Sequence, residues 1–154
     1  MSVKGTARNQ YASVADRAAQ QLEFIQKPSE GWLATLRKAL GMSGAEVAAR
    51  MGVSRNAVYQ AERNERDGAI TINQMHKLAE AMGGRFVYAV IPDGSVNDVV
   101  RAQARRKAEA RIRRASVHMA LEKQSLPSAK TKQRIEQLAD ELAREMPRDF
   151  WEIK

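Results

Sequence analysis

Apolar residues recur at helical spacing along most of this chain, and the pattern changes character twice. Val14, Ala18, Leu22 and Ile25 step through residues 11–26 at intervals of three and four, after a basic start over residues 1–10 that reads as frayed. Lys27-Pro28-Ser29 ends that helix, because a proline restricts the residue before it to extended backbone. From Gly31 the pattern predicts short helices joined by tight turns: Trp32 to Leu40, Gly44 to Met51, Arg55 to Arg63 and Ile72 to Met82. Ser43 with Glu46, and Thr71 with Gln74, fit capping boxes, in which a hydroxyl and a carboxylate or amide satisfy the first free amides of a helix reciprocally. Ser54 supplies a simple N-cap for the third of these helices.

After Gly83-Gly84, the run from Arg85 to Pro92 is rich in β-branched and aromatic residues and closes on Pro92-Asp93-Gly94. It is expected to be a strand. With no other convincing strand in the sequence, its ladder partner would be the same segment of a second subunit, joining a homodimer; the alternative is a buried extended segment paired with nothing. Ser95 then caps a long helix to about Gln124, with Val100, Ala104, Ala108, Ile112, Ala115 and Met119 in a narrow stripe of mostly small residues. Leu126-Pro127-Ser128 breaks the chain. A last helix carries Ile135, Leu138, Leu142 and Met146 on one face, and Pro147 stops it ahead of Phe150, Trp151 and Ile153. The fold class is all-α with one short strand. Its divisions are an N-terminal helical extension over 1–30, a central domain over 31–84, a strand over 85–94 that serves as a dimerisation ribbon, and a basic helix with an amphipathic helix over 95–154.

Composition narrows the function. The 154 residues suit one core with appendages. The absence of cysteine removes disulfides, thiol nucleophiles and thiolate metal sites, and fits the cytoplasm. No apolar run approaches the length that spans a bilayer, so an embedded or exported protein is not expected. The net charge of +8 favours a polyanionic partner. Of that surplus, +6 falls in residues 101–114, where Arg101, Arg105, Arg106, Lys107, Arg111, Arg113 and Arg114 face a single Glu109. Arg101, Arg105, Lys107, Arg111 and Arg114 are candidates for contact with phosphates or an acidic partner, against the plainer reading of a solvated helix face. A membrane-surface helix would need a broad aromatic or leucine face, which this block lacks.

The central segment has the ingredients of a helix-turn-helix. Residues 46–51 are followed by Gly52-Val53-Ser54 and a further helix, and Gly52 can take the positive φ that ends the first of the two. Val47, Ala48, Met51, Val53, Val58 and Ala61 would form the wedge between them, closed by Leu36, Leu40, Leu78 and Met82. Helical geometry then turns Arg55, Asn56, Tyr59, Gln60 and Arg63 outward. Arg55, Asn56, Tyr59 and Gln60 are the candidates for reading bases of double-stranded DNA, because guanidinium and amide groups match the donor and acceptor patterns of guanine and adenine in the major groove. Ser43, Ser54 and Arg63 are the candidates for phosphate contact.

Over residues 32–84, and most clearly from Leu36 to Glu62, this sequence resembles the Xre or Cro type of lambda repressor-like helix-turn-helix domain. That resemblance implies an ion pair between Arg37 and Glu62. It also marks a departure at Gly44, where many relatives carry a glutamine that contacts DNA. A longer resemblance rests on Pro28-Ser-Glu-Gly-Trp-Leu33, Glu62 to Ile72, Tyr88-Ala-Val-Ile-Pro92, Gln103-Ala-Arg-Arg-Lys-Ala108 and His118 to Gln124. These segments resemble the family called mobile mystery protein A, whose members are encoded beside a Fic-domain protein. The resemblance implies an antitoxin of a Fic-domain toxin that also represses its own operon. Some inhibitors of that class present a Ser/Thr-x-x-x-Glu-Gly/Asn motif; here Glu30-Gly31 is present but Gln26 stands at the hydroxyl position, so the motif is absent.

Two other roles stay open beside that one: a regulator without a toxin partner, and a toxin-neutralising module that binds DNA weakly. An RNA-binding module is a further alternative on charge alone, but it would lack an aromatic stacking platform. His76 and His118 are not at ligand spacing, and no nucleophile elbow, phosphate loop or His-carboxylate pairing stands out. No metal, cofactor or enzymatic activity is therefore expected. Phe150 and Trp151 either fold back on the body or anchor a partner.

Overall fold

The computed structural model describes residues 3–121 and 128–153. Among them seven helices form: α1 (Val3–Leu22), α2 (Trp32–Ala39), α3 (Gly44–Met51), α4 (Arg55–Asp67), α5 (Ile72–Ala81), α6 (Val96–Leu121) and α7 (Ser128–Glu145). They divide into two compact units, one of Phe24–Ala89 and one of Met1–Glu23 with Val90–Lys154. No helix among the described residues is long and apolar enough to cross a membrane.

The unit Phe24–Ala89 holds α2 to α5 around one small core. Leu33, Val47, Ala48, Val58, Ala61, Met75, Leu78 and Met82 are buried together, with Leu36, Met42, Met51, Ile70 and Phe86 packed against them. Most of the expected wedge is thus inside. Leu40 and Val53 are the exceptions, at 48% and 43% exposure. Both lie at the ends of tight turns, where the chain reverses and a side chain leaves the helical stripe. Leu33, Met75 and Phe86 occupy core positions that periodicity did not single out.

The caps follow the local sequence closely. Ser43 and Glu46 form the full capping box, and Ser54 accepts from the Ala57 amide. Thr71 accepts from the Gln74 amide, but among the described residues the Thr71 amide makes no reciprocal bond to the glutamine side chain, so this box is one-sided. Gly52 and Gly68 end α3 and α4 in the left-handed conformation, at φ 69° and 75°. Gly68 also explains why α4 runs past the expected Arg63 to Asp67. The chain keeps its helix until a residue can adopt positive φ cheaply.

In the other unit, α6 packs on α7 through the small-residue stripe. Ala104 and Ala108 are fully buried against Ala139, Leu142 and Phe150, with Val100, Ile135, Leu138 and Met146 at the margin. Alanines allow the two helix backbones to approach, and Phe150 fills the end of the interface. Phe150 therefore folds back, while Trp151 stays half-exposed with its ring edge-on to Phe150 at 4.9 Å. The stripe ends at Ile112, because Ala115 is exposed. The side chain of Met119, the helix end expected near Gln124 and the break at Leu126-Pro127 lie outside the described residues.

Helix α1 begins at Val3 instead of fraying to residue 10, and it buries no side chain completely. Val14 is 69% exposed, and Ile25 lies beyond the helix end. A carboxylate fixes α1 in place of a full apolar stripe: Asp16 accepts from the Val96 amide at 2.8 Å and so caps α6 from a distance. Ser95 and Asp98 exchange a pair of capping bonds at the same helix start.

The strand expected over residues 85–94 is absent among the described residues: 85–92 carry no helix, turn or bend and no ladder, and 93–94 form a bend. A strand is defined by hydrogen bonds to a neighbour, and the single chain offers it none.

The α6–α7 contact gives a direct test of close packing. Ala108→Leu should lower the stability of this unit by about 1–3 kcal/mol through overpacking, read as a reduced urea midpoint. An unchanged midpoint would show that the helices are not held at the separation that alanine permits.

Candidate nucleic-acid interface

Two buried glutamates on α4 position the exposed face of that helix. Glu62 and Glu65 are only 4% and 6% exposed, although glutamate is rarely buried without a partner. Glu62 takes two bonds from Arg37, Nε to Oε1 at 2.8 Å and Nη2 to Oε2 at 3.3 Å, which is the ion pair that the resemblance implied. Arg37 also donates from Nη1 to the Met42 carbonyl at 3.1 Å, and its guanidinium lies 5.5 Å over the Tyr59 ring. One side chain thereby joins α2, the turn into α3, and α4. The bond to Glu62 raises the Arg37 pKa above its ordinary value, opposed by burial.

Glu65 was not singled out by sequence reasoning. Its carboxylate accepts from the Trp32 and Leu33 amides at 2.7 and 2.9 Å, capping α2 from more than thirty residues away. Gly31 precedes α2 with φ 88° and has no side chain to do this itself. A Cβ there would lie 2.9 Å from the Glu65 carboxylate. Glycine is needed both for the backbone turn and for the approach of the carboxylate. Glu30 meanwhile pairs with Lys38 at the surface, 2.8 Å apart, which lowers its pKa. The Glu30-Gly31 dipeptide is therefore accounted for as the start of α2.

With α4 fixed in this way, Arg55, Asn56, Gln60 and Arg63 are all exposed on it. Arg55 and Asn56 occupy its first turn and make no side-chain bond among the described residues. Gln60 is engaged on the surface, donating to Asn64 Oδ1 at 2.9 Å and accepting from Arg63 Nη2 at 2.8 Å. These bonds are solvent-exposed and can be exchanged for bonds to a ligand at little cost.

Tyr59 is placed differently from its neighbours. It is half-buried, under Arg37 and against Gly44. A Cβ at Gly44 would lie 2.5 Å from Tyr59 Cζ and 2.7 Å from Oη. The glycine that departs from the family pattern is thus what lets the tyrosine ring lie across the start of α3. The ring of Tyr59 is thereby committed to packing. Beside it runs an open groove of about 450 Å³ whose lining includes Lys38, Asn56, Tyr59, Arg63 and Arg66.

Ser43 and Ser54 are exposed at the N-termini of α3 and α4, and each hydroxyl oxygen already accepts an amide hydrogen. Their hydroxyl protons remain available to an acceptor such as phosphate. The Glu46 carboxylate of the α3 capping box is held below its ordinary pKa, first by the Ser43 amide.

The candidate basic residues of α6 differ in their surroundings. Arg101 bonds Asp140 at 2.8 Å, and Arg105 bridges Glu109 at 3.1 Å and Glu136 at 3.0 Å, so both help to hold α7. Lys107 is half-buried. Arg111 and Arg114 are exposed and have no acidic partner among the described residues; Arg114 donates only to the Ala110 carbonyl, at 3.4 Å. His76 sits edge-on to Phe86 and Tyr88, at 5.4 and 6.2 Å, in a packing role. Among the described residues no His, Asp and Glu side chains cluster as metal ligands would.

Residues 33–88 match the family model described as helix-turn-helix. The match takes in α2 to α5 and the extended segment after them. No curated protein and no solved structure matches the chain. The fold, the exposed helix and this match define the class: the chain carries a helix-turn-helix domain of the Xre type, the DNA-binding domain of transcriptional regulators.

Two measurements check the scaffold. Arg37→Met alone should cost about 3–5 kcal/mol by stranding a buried carboxylate, and Arg37→Met with Glu62→Met should cost less than the sum of the two single changes. Additive losses would show that the two side chains do not act as a pair. Because the Glu46 pKa is depressed on folding, its contribution is present above the ordinary value near 4.5 and is lost as pH falls through the folded value. The Tm deficit of Glu46→Ala should therefore be largest at neutral pH and narrow in acid. A deficit that did not change with pH would show that the cap does not depend on the charge.

Proposed function

We propose that this protein is a sequence-specific transcriptional repressor that also acts as the antitoxin of a Fic-domain toxin and regulates its own operon. The observation that carries the DNA-reading half is the outward row of Arg55, Asn56 and Gln60 on a helix whose opposite face is fixed by Val58, Ala61, Glu62 and Glu65. The row combines groups that match guanine and adenine edges, on a helix with the dimensions of the major groove. Tyr59 contributes its hydroxyl at the margin of that row. Ser43, Ser54 and Arg63 flank it as phosphate contacts, which fix register without reading sequence.

The antitoxin half is supported by the resemblance carried by residues 28–33, 62–72, 88–92, 103–108 and 118–124, and by the second helical unit, which DNA reading does not require. Arg111 and Arg114 are the exposed cations of that unit best suited to an acidic surface on the toxin. Without a hydroxyl at Gln26, inhibition proceeds by a route other than the Ser/Thr-x-x-x-Glu-Gly/Asn motif. The active species is a homodimer, so its operator is an inverted repeat with half-site centres about 10 bp apart or a multiple of that.

Footprinting on the promoter of the chain's own operon tests the DNA-reading half. Arg55→Ala and Gln60→Ala should each relax base preference by about 1–3 kcal/mol at one position of the half-site. Equal losses on specific and random DNA would refute base reading by these residues. The antitoxin half is tested by co-purification with the Fic-domain product of the neighbouring reading frame. Arg111→Glu combined with Arg114→Glu should weaken that capture and leave operator affinity intact; failure of the wild-type chain to bind the product would refute the antitoxin role.

A further inference from the structure

The segment from Arg85 to Ile91 runs without helix, turn or bend, and among the described residues none of its backbone N–H or C=O groups is hydrogen-bonded. Phe86 packs on the core of the helix-turn-helix unit, and Tyr88 stacks on it at 5.5 Å. Residues two apart in an extended chain share a face, so these two rings hold one face of the segment against the unit. The backbone groups must then point sideways, along the edges. Val87, Tyr88 and Val90 are 63%, 60% and 95% exposed, which is a poor end state for β-branched and aromatic side chains next to unpaired amides.

We infer that this edge pairs with the same edge of a second copy of the chain in an antiparallel two-stranded ribbon centred on Ala89. The inference rests on the dimeric repressor just proposed and specifies its contact. Two-fold symmetry makes any antiparallel self-pairing complementary in its backbone, so the side chains select the register. Centring on Ala89 sets Arg85 opposite Asp93 of the second copy, and Val87 opposite Ile91. It also sets Pro92 opposite Phe86. If Ala89 meets its own copy in a hydrogen-bonded pair, then Val87 with Ile91 is hydrogen-bonded too, and the Phe86–Pro92 pair falls at a position where no N–H is needed. Pro92 lacks that donor, and this register is the one that spares it while pairing the two charges. Centring on Tyr88 also spares Pro92, but it sets Arg85 opposite Ile91 and leaves both charges without a partner. The Ala89 ribbon makes roughly six ladder hydrogen bonds between its strands.

The chain has no cysteine, so single-cysteine variants of the full-length protein report the register without interference. In the ribbon, the two Ala89 Cα atoms lie roughly 5.5 Å apart, within disulfide range, whereas the two Val87 Cα atoms lie about 14 Å apart. Ala89→Cys should form a covalent dimer under mild oxidation, and Val87→Cys should not. Arg85→Glu should weaken dimerisation roughly two- to tenfold in sedimentation, and adding Asp93→Arg should restore it. A wild-type chain that stays monomeric at tens of micromolar, or cross-linking that peaks at Tyr88→Cys instead, would overturn the inference. Operator binding is read separately. A monomer with clear base preference sinks the ribbon and leaves DNA reading intact, whereas a cross-linked dimer with no preferred sequence does the reverse.

Discussion

The buried pair of Arg37 and Glu62 is the constraint on which the presentation of α4 depends. Two bonds between planar groups fix the distance and the rotation of α4 relative to α2, and a third bond from the same guanidinium holds the turn that leads into α3. A pair of this kind contributes little net stability, because desolvation offsets most of the attraction. Its effect is on orientation. If either side chain is lost, the other remains as an uncompensated buried group, so arrangements that separate them are strongly disfavoured.

Glu65 extends the same logic by one helical turn. From the same face of α4 it closes the amides at the start of α2, a helix whose preceding glycine cannot cap it. Two carboxylates of one helix thus hold the two ends of another. The opposite face of α4 is free of such obligations, and Arg55, Asn56 and Gln60 stand exposed on it. Gly44 and Tyr59 show how the departure from the family pattern is accommodated. The missing side chain at position 44 leaves room for the aromatic ring, which in turn underlies Arg37.

The second unit uses similar means with different residues. Small side chains bring α6 and α7 together, exposed ion pairs from Arg101 and Arg105 lie along their flanks, and Asp16 closes the α6 start from α1. Part of the basic block is therefore internal to the unit, and the part toward the C-terminal end of α6 is not.

Much of the helical plan was legible in the chain. Serine or threonine just ahead of a helix, glycine where positive φ is needed, and apolar steps of three and four are local signals, and the structure follows them at Ser43, Ser54, Thr71, Ser95, Gly52, Val47, Val58, Ala104 and Ala108. The outward positions of Arg55, Asn56, Gln60 and Arg63 follow from the same periodicity. Glu65 as a cap for α2, Asp16 as a cap for α6, the packing of Tyr59 on Gly44 and the exposure of Val53 carry no such signal, because each depends on which distant backbone or ring arrives beside it. The strand pattern at Arg85 to Pro92 shows the same limit: side-chain chemistry states a preference for extended backbone, but a ladder exists only where a second edge is present. Sequence alone determined the elements that close their own hydrogen bonds; tertiary structure decided every contact whose donor and acceptor lie far apart along the chain.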